Sequence, residues 1–216
     1  MVPGLGAPGY LLDTLERCGT WSNAFLLDVP GYGHDEERAC RPRIKDLSDV
    51  VAAWIAAMAR LPVVLVGHST GAQVALRVAV DNPGSVRSLV LMGPTFPPAL
   101  RRTSPLLRAL ARTLPHESAG EVPAVAPYYA RAGAGELVRY LRSAQRDEPE
   151  RLVPRVTCPV WVVRGAHDAL APRKWVDELA AHCPRGQTVT MPGAHNFPYR
   201  HSGHTAALIA EAAAHR

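Results

Sequence analysis

The segment Val63-Val64-Leu65-Val66-Gly67-His68-Ser69-Thr70-Gly71 constrains this chain more than any other. Its four leading apolar residues read as a buried strand, and Ala72 to Asp81 reads as a helix. Between them stands Gly-x-Ser-x-Gly, which gains meaning from a strand before it and a helix after it. A turn this tight leaves no room for a Cβ at its flanks, so Gly67 and Gly71 are required there. The turn lifts Ser69 Oγ over the sheet edge at the N-terminus of the following helix. There the Thr70 N–H is free to hold a developing oxyanion. An ordinary glycine-rich turn is the plainer alternative. The flanking strand and helix favour a nucleophilic serine.

At 216 residues the chain suits one domain with a full core. The balance of 47% hydrophobic and 20% charged residues is that of a soluble globule. The net charge of +5 comes from arginine, since Lys45 and Lys174 are the only lysines. No basic stripe interleaved with aromatics is present, so nucleic acid is not an expected partner. Cys18, Cys40, Cys158 and Cys183 are far apart and lack Cys-x-x-Cys spacing, so free, mostly buried thiols are expected. The apolar runs are too short for a membrane span, and the start lacks the pattern of a signal peptide. A cytoplasmic protein is the expectation.

Short apolar runs alternate with helical stretches, which argues an α/β fold with a mostly parallel sheet and helices on both faces. Five parallel strands are expected near residues 24–29, 63–67, 88–93, 160–164 and 187–191. Asp46 to Arg60 carries a helical apolar face, as do Arg173 to His182 and Thr205 to His215. Residues 95–154 break the alternation with helical pieces and no good strand. They follow the carboxyl end of a strand, where open α/β folds bind ligands. This divides the chain into a core of residues 1–94 and 155–216 and a helical cap of residues 95–154. Extra packing helices with no gating role are the alternative.

A serine hydroxyl needs a base within hydrogen-bond reach, and that base needs a carboxylate to orient it. Asp168 follows the strand Val160 to Val163, and His195 follows the strand Gln187 to Met191. Ser69, Asp168 and His195 therefore end three strands on the same side of a parallel sheet and can converge. His201 and His204 compete with His195, but neither follows a strand. His68 is expected to pack beside the turn, and His167 to be a loop residue. Phe96, Tyr128 and Tyr129 are candidates to line an acyl pocket; aromatics in a cap are as often its own core. No histidine has metal-ligand spacing, and the chemistry requires neither metal nor other cofactor.

These phrases together resemble the α/β-hydrolase superfamily over nearly the whole chain. Pro3-Gly4-Leu5-Gly6 is similar to that family's loop after its third strand, which makes Leu5 the second oxyanion-hole donor beside Thr70. Asp28-Val29-Pro30-Gly31-Tyr32-Gly33 is similar to its D-x-P-G-x-G segment. The resemblance makes Ser69 the nucleophile, His195 the base and Asp168 its orienting acid. It implies hydrolysis of a small ester, lactone or thioester through an acyl-enzyme. A serine at the turn argues against the epoxide hydrolase and haloalkane dehalogenase branches, which place aspartate there. A scaffold used for ligand binding, or for a non-hydrolytic cyclisation or lyase step, is the alternative.

The pattern departs at the start, where Met1-Val2 leads straight into the Pro3–Gly6 loop. In the resembling family a strand inside the sheet precedes that loop. Either the chain belongs to a longer product, or residues 24–29 pair directly with Val63 to Val66. Otherwise an edge stays open beside residues 24–29, with Leu26 and its neighbours more exposed than a strand covered on both faces allows, and self-association is expected.

Overall fold

The computed structural model describes residues 1–33, 37–58 and 62–215. In chain order the elements are α1 (Leu12–Gly19), α2 (Ile44–Met58), β1 (Val63–His68), α3 (Thr70–Asp81) and β2 (Val86–Met92). Then come α4 (Thr103–Thr113), α5 (Val122–Ala132), α6 (Ala134–Arg146) and α7 (Pro149–Leu152). The chain finishes with β3 (Val160–Gly165), α8 (Arg173–His182), β4 (Gly186–Met191), α9 (Phe197–Arg200) and α10 (Ser202–Ala214). The expected end of the second helix at Arg60 lies outside the described residues.

The strands form one parallel sheet in the order β1-β2-β3-β4. In a strand, successive side chains face opposite sides, and here each side has its own core. Leu65, Leu89, Leu91, Val160 and Val162 belong to the apolar cluster that α2, α3 and α8 complete. Val66, Val90, Met92, Trp161 and Val163 belong to the other, completed by Cys18 of α1 and by Ala206, Leu208 and Ile209 of α10. Near-continuous apolar strands are the sequence of a sheet covered on both faces. β4 is the exception, with Gln187, Thr188 and Thr190 exposed, as suits a polar edge strand.

The first expected strand is not one. Among the described residues the sheet has four strands rather than five, and residues 24–28 belong to neither helix nor strand and are half-buried or exposed. Nor do residues 24–29 pair with β1. Met1 and Val2 lie between them. Leu27 N–H donates to Met1 O at 3.0 Å, Val2 N–H to Val66 O at 2.8 Å, and His68 N–H to Val2 O at 3.0 Å. Two residues separate the flanking segments only at the carboxyl end of β1. Beneath them a cavity of about 680 Å³ opens, lined by Ala24, Phe25 and Leu27 on one side and Val63 to Val66 on the other. A strand needs a paired neighbour along its length, and residues 24–27 meet one residue. The expected exposure is present: Leu26 is half-buried and Phe25 is 46% exposed.

Residues 95–154 carry α4 to α7 and no strand among the described residues, and they are held to the core at several points. Gln73 Nε2 donates to Ala144 O at 2.9 Å, and Arg77 pairs with the buried carboxylate of Asp147. The Ile44 N–H donates to Ser143 Oγ at 3.0 Å. A methyl on Gly9 would stand 2.0 Å from the Ala124 carbonyl oxygen, so α5 lies directly on the N-terminal loop. The four cysteines are free, with Cys18, Cys158 and Cys183 buried and Cys40 half-buried. Among the described residues no helix is long and apolar enough to cross a membrane.

Candidate active site

The turn after β1 has the geometry the sequence demands. Ser69 adopts φ 56° and ψ −123°, a backbone that costs a non-glycine residue about 1–3 kcal/mol. A Cβ on Gly67 would come within 2.3 Å of Gly71 O, and one on Gly71 within 2.4 Å of Val2 O. No side chain fits at either place. The Ser69 N–H is tied to Met92 O at 2.8 Å, and α3 begins at the next residue. Strain of this kind persists only where its surroundings enforce it.

Ser69, Asp168 and His195 are brought together. His195 Nε2 lies 2.9 Å from Ser69 Oγ, and His195 Nδ1 lies 2.8 Å from Asp168 Oδ2. Asp168 Oδ1 accepts from the N–H groups of Leu170 and Ala171 at 2.8 and 3.0 Å, which aims the other oxygen at the imidazole. Asp168 is 1% exposed and His195 7%, while Ser69 is half-buried. Burial works to raise the Asp168 carboxyl. The charge and hydrogen bond of His195 and the two backbone N–H groups outweigh it and hold the carboxyl below its ordinary range. Burial likewise works to lower His195. Asp168, by charge and hydrogen bond, and then Glu117 and Glu121 outweigh it, so its value is raised. His201 and His204 stand apart from this relay, edge to face with each other.

Among the described non-glycine residues only Leu5, at φ 47°, shares the positive φ of Ser69. Its loop presses on the turn: a Cβ on Gly4 would be 2.8 Å from Ser69 Cβ. The Leu5 N–H is not free, however, because it donates to Thr70 Oγ1 at 2.8 Å.

The aromatic candidates separate. Phe96 is 3% exposed within the core that joins the insertion to the sheet. Tyr128 is half-buried against the N-terminal loops, where methyls on Gly9 and Gly33 would lie 3.2 and 3.0 Å from its ring. Tyr129 is half-buried, and burial, then Glu121, push its hydroxyl up to about 12. Among the described residues no cluster of three or more His, Cys, Asp or Glu side chains is placed to hold a metal ion.

Sequence reasoning missed the contacts between the insertion and the two loops that carry Asp168 and His195. Glu117 Oε1 accepts from the Asn196 N–H at 3.0 Å, and Glu121 Oε1 from Asn196 Nδ2 at 3.1 Å. Thr113 Oγ1 accepts from the Ala169 N–H at 3.1 Å, and Tyr199 donates to Gly120 O at 2.8 Å. His116 stacks on His167 with ring centroids 4.3 Å apart. These partners are more than fifty residues apart in sequence, and no local pattern announces them.

The family model described as "Alpha/beta hydrolase family" matches residues 1–211. The chain is 29% identical over 226 residues to the pimeloyl-acyl-carrier protein methyl ester esterase of Neisseria meningitidis, covering 92% of this chain and 86% of that one. It is 27% identical over 227 residues to the enzyme of the same name from Chromobacterium violaceum, covering 92% and 87%. Among solved structures, a lipase-esterase related protein from Clostridium acetobutylicum superposes with a TM-score of 0.80 at 16% identity, covering 98% of this chain and 92% of that one. That likeness is one of fold. By the match of the family model to almost its whole length, this chain belongs to the alpha/beta hydrolase family and is a hydrolase.

Proposed function

We propose that this protein is a serine esterase that cleaves a small carboxylic ester, lactone or thioester through an acyl-enzyme on Ser69. The observation that carries this reading is the Ser69 Oγ to His195 Nε2 separation of 2.9 Å, with Asp168 behind it at 2.8 Å. Ser69 Oγ attacks the carbonyl carbon as its proton passes to His195 Nε2. Asp168 keeps Nδ1 protonated and stabilises the imidazolium. The carbonyl oxygen, now negative, sits at the N-terminus of α3 against the N–H of Thr70 and takes over that of Leu5. His195 then delivers its proton to the leaving group, and the acyl chain remains on Ser69. A water molecule loses a proton to His195, attacks the acyl carbon and releases the acid with Ser69 restored.

Residues 95–154 are assigned the role of a cap, with Tyr128, Tyr129 and Phe96 shaping the acyl side of the pocket. The ties from Thr113, Glu117, Gly120 and Glu121 to the loops of Asp168 and His195 support that placement. A methyl ester is the chemistry named for the Neisseria relative, so esters of small alcohols are the first substrates to try.

The test is turnover of p-nitrophenyl acetate and butyrate by the wild type and by Asp168→Asn. Wild-type turnover and a fall of about 10⁴ in the variant are expected. Folded wild type without turnover, or a variant as fast as wild type, contradicts the reading.

A further inference from the structure

His68, the first variable residue of the Gly-x-Ser-x-Gly turn, is 1% exposed, and Tyr10 beside it is 3% exposed. Two buried polar side chains need partners, and these have a continuous set. The Gly4 N–H donates to Tyr10 Oη at 2.8 Å. Tyr10 Oη lies 2.6 Å from His68 Nδ1, and His68 Nε2 lies 2.9 Å from His195 O.

The ends of this chain fix its direction. A backbone N–H can only donate and a carbonyl can only accept. Tyr10 therefore accepts from Gly4 and gives its one proton to His68 Nδ1. His68 must then carry its proton on Nε2 and donate it to the His195 carbonyl. The other neutral tautomer would set the Nε2 lone pair against the carbonyl oxygen and leave the Tyr10 proton without an acceptor. Burial, followed by the charge of the neighbouring His195, pushes His68 down to about 3. It stays neutral when His195 becomes an imidazolium, with Tyr10, His195 and Asp168 the titratable groups around it.

We propose that Tyr10 and His68 are positioning residues that lock the Leu5 loop and His195 into one frame around Ser69. This rests on the esterase reading of Ser69 and His195. Gly4 immediately precedes Leu5, and His195 is the base, so one hydrogen-bonded path joins the oxyanion donor to the proton acceptor. It passes through the residue next to the nucleophile. Neither side chain reaches the substrate, because both are sealed beneath the turn. Their contribution is geometric, and a displacement of about 1 Å at such a site costs about 10²-fold in rate.

Two measurements on the whole protein test this. The first is nitrogen-15 NMR of the histidines, which is independent of activity. His68 is expected to hold the neutral Nε2–H tautomer from about pH 5 to 8, where an unperturbed histidine titrates. In Tyr10→Phe and His68→Leu the His195 Nδ1–H should exchange faster with water. A His68 that titrates in that window, or carries its proton on Nδ1, overturns the proposal.

The second is steady-state kinetics on p-nitrophenyl acetate. His68→Leu should lower kcat about 10²-fold with KM unchanged. His68→Gln, whose amide N–H reaches the same carbonyl, should recover most of the loss. Tyr10→Phe, the milder change, should fall between. Wild-type kcat in folded His68→Leu and Tyr10→Phe overturns the proposal. Wild type that turns over no ester sinks the esterase reading instead, and the NMR result then decides this one alone.

Discussion

The Leu5 backbone N–H donates to Thr70 Oγ1 at 2.8 Å, across 65 residues of sequence. In the resting site the side chain of one proposed oxyanion residue thus occupies the donor of the other. A substrate carbonyl must displace that hydroxyl, and exchanging one hydrogen bond for another costs about 0.5–1.5 kcal/mol at most. Thr70→Val keeps the shape and removes the competitor. Its kcat on p-nitrophenyl acetate should stay within about tenfold of wild type and rise rather than fall. A fall of about 10² or more would make the hydroxyl itself an oxyanion donor.

Activity should rise with pH through a value above the ordinary 6.5 of histidine, because His195 acts as a base only when neutral and its folded value is raised. The titratable groups facing it are Asp168, Glu117 and Glu121, which carry charge, and His68, which stays neutral. Glu117→Gln and Glu121→Gln each remove an anion without touching Ser69. Both should move the acid limb of the kcat/KM profile to lower pH. A limb that stays in place shows that the two glutamates fasten Asn196 without influencing the base. The same raised value means that His195 adds stability that is full below pH 6.5 and fades as pH rises through its folded value. The Asp168 contribution has the opposite sense, present above 3.8 and lost as pH falls.

The cavity beside β1 leaves Val63 to Val66 facing Phe25 and Leu27 with no strand between them among the described residues. An open strand edge recruits extended chain. The protein is expected to self-associate as its concentration rises, read by light scattering. Phe25→Lys, which places a charge at the mouth of the slot, should reduce the association. A monodisperse wild-type monomer at all concentrations would show that α1, α2 and α10 cover the edge well enough.

Much of the site was legible because its determinants are local. Gly67, Gly71 and the strand before them describe a turn that only small residues allow, so Ser69 could be read from nine residues. Asp168 and His195 were legible because each follows a strand, apolar before Asp168 and alternating with polar residues before His195, and parallel strands end on one side of the sheet. Residues 24–29 misled because an apolar run shows that a segment can be a strand and not what lies beside it. Only Met1 bonds to the backbone of residues 24–27 here, among the described residues. His68 was readable as buried but not as a link, since its partners Tyr10 and His195 are 58 and 127 residues away. Glu117, Glu121 and Asn196 escaped for the same reason.

The central claim is that Ser69 is a nucleophile activated by His195. A fluorophosphonate probe followed by peptide mass spectrometry measures this directly, because the probe reports the activated hydroxyl whatever the natural substrate. Wild type should be labelled on the peptide carrying Ser69. Ser69→Ala should take up no label, and its esterase activity should fall by roughly 10⁴- to 10⁶-fold. Folded wild type that stays unlabelled, or label that persists in Ser69→Ala, contradicts the account.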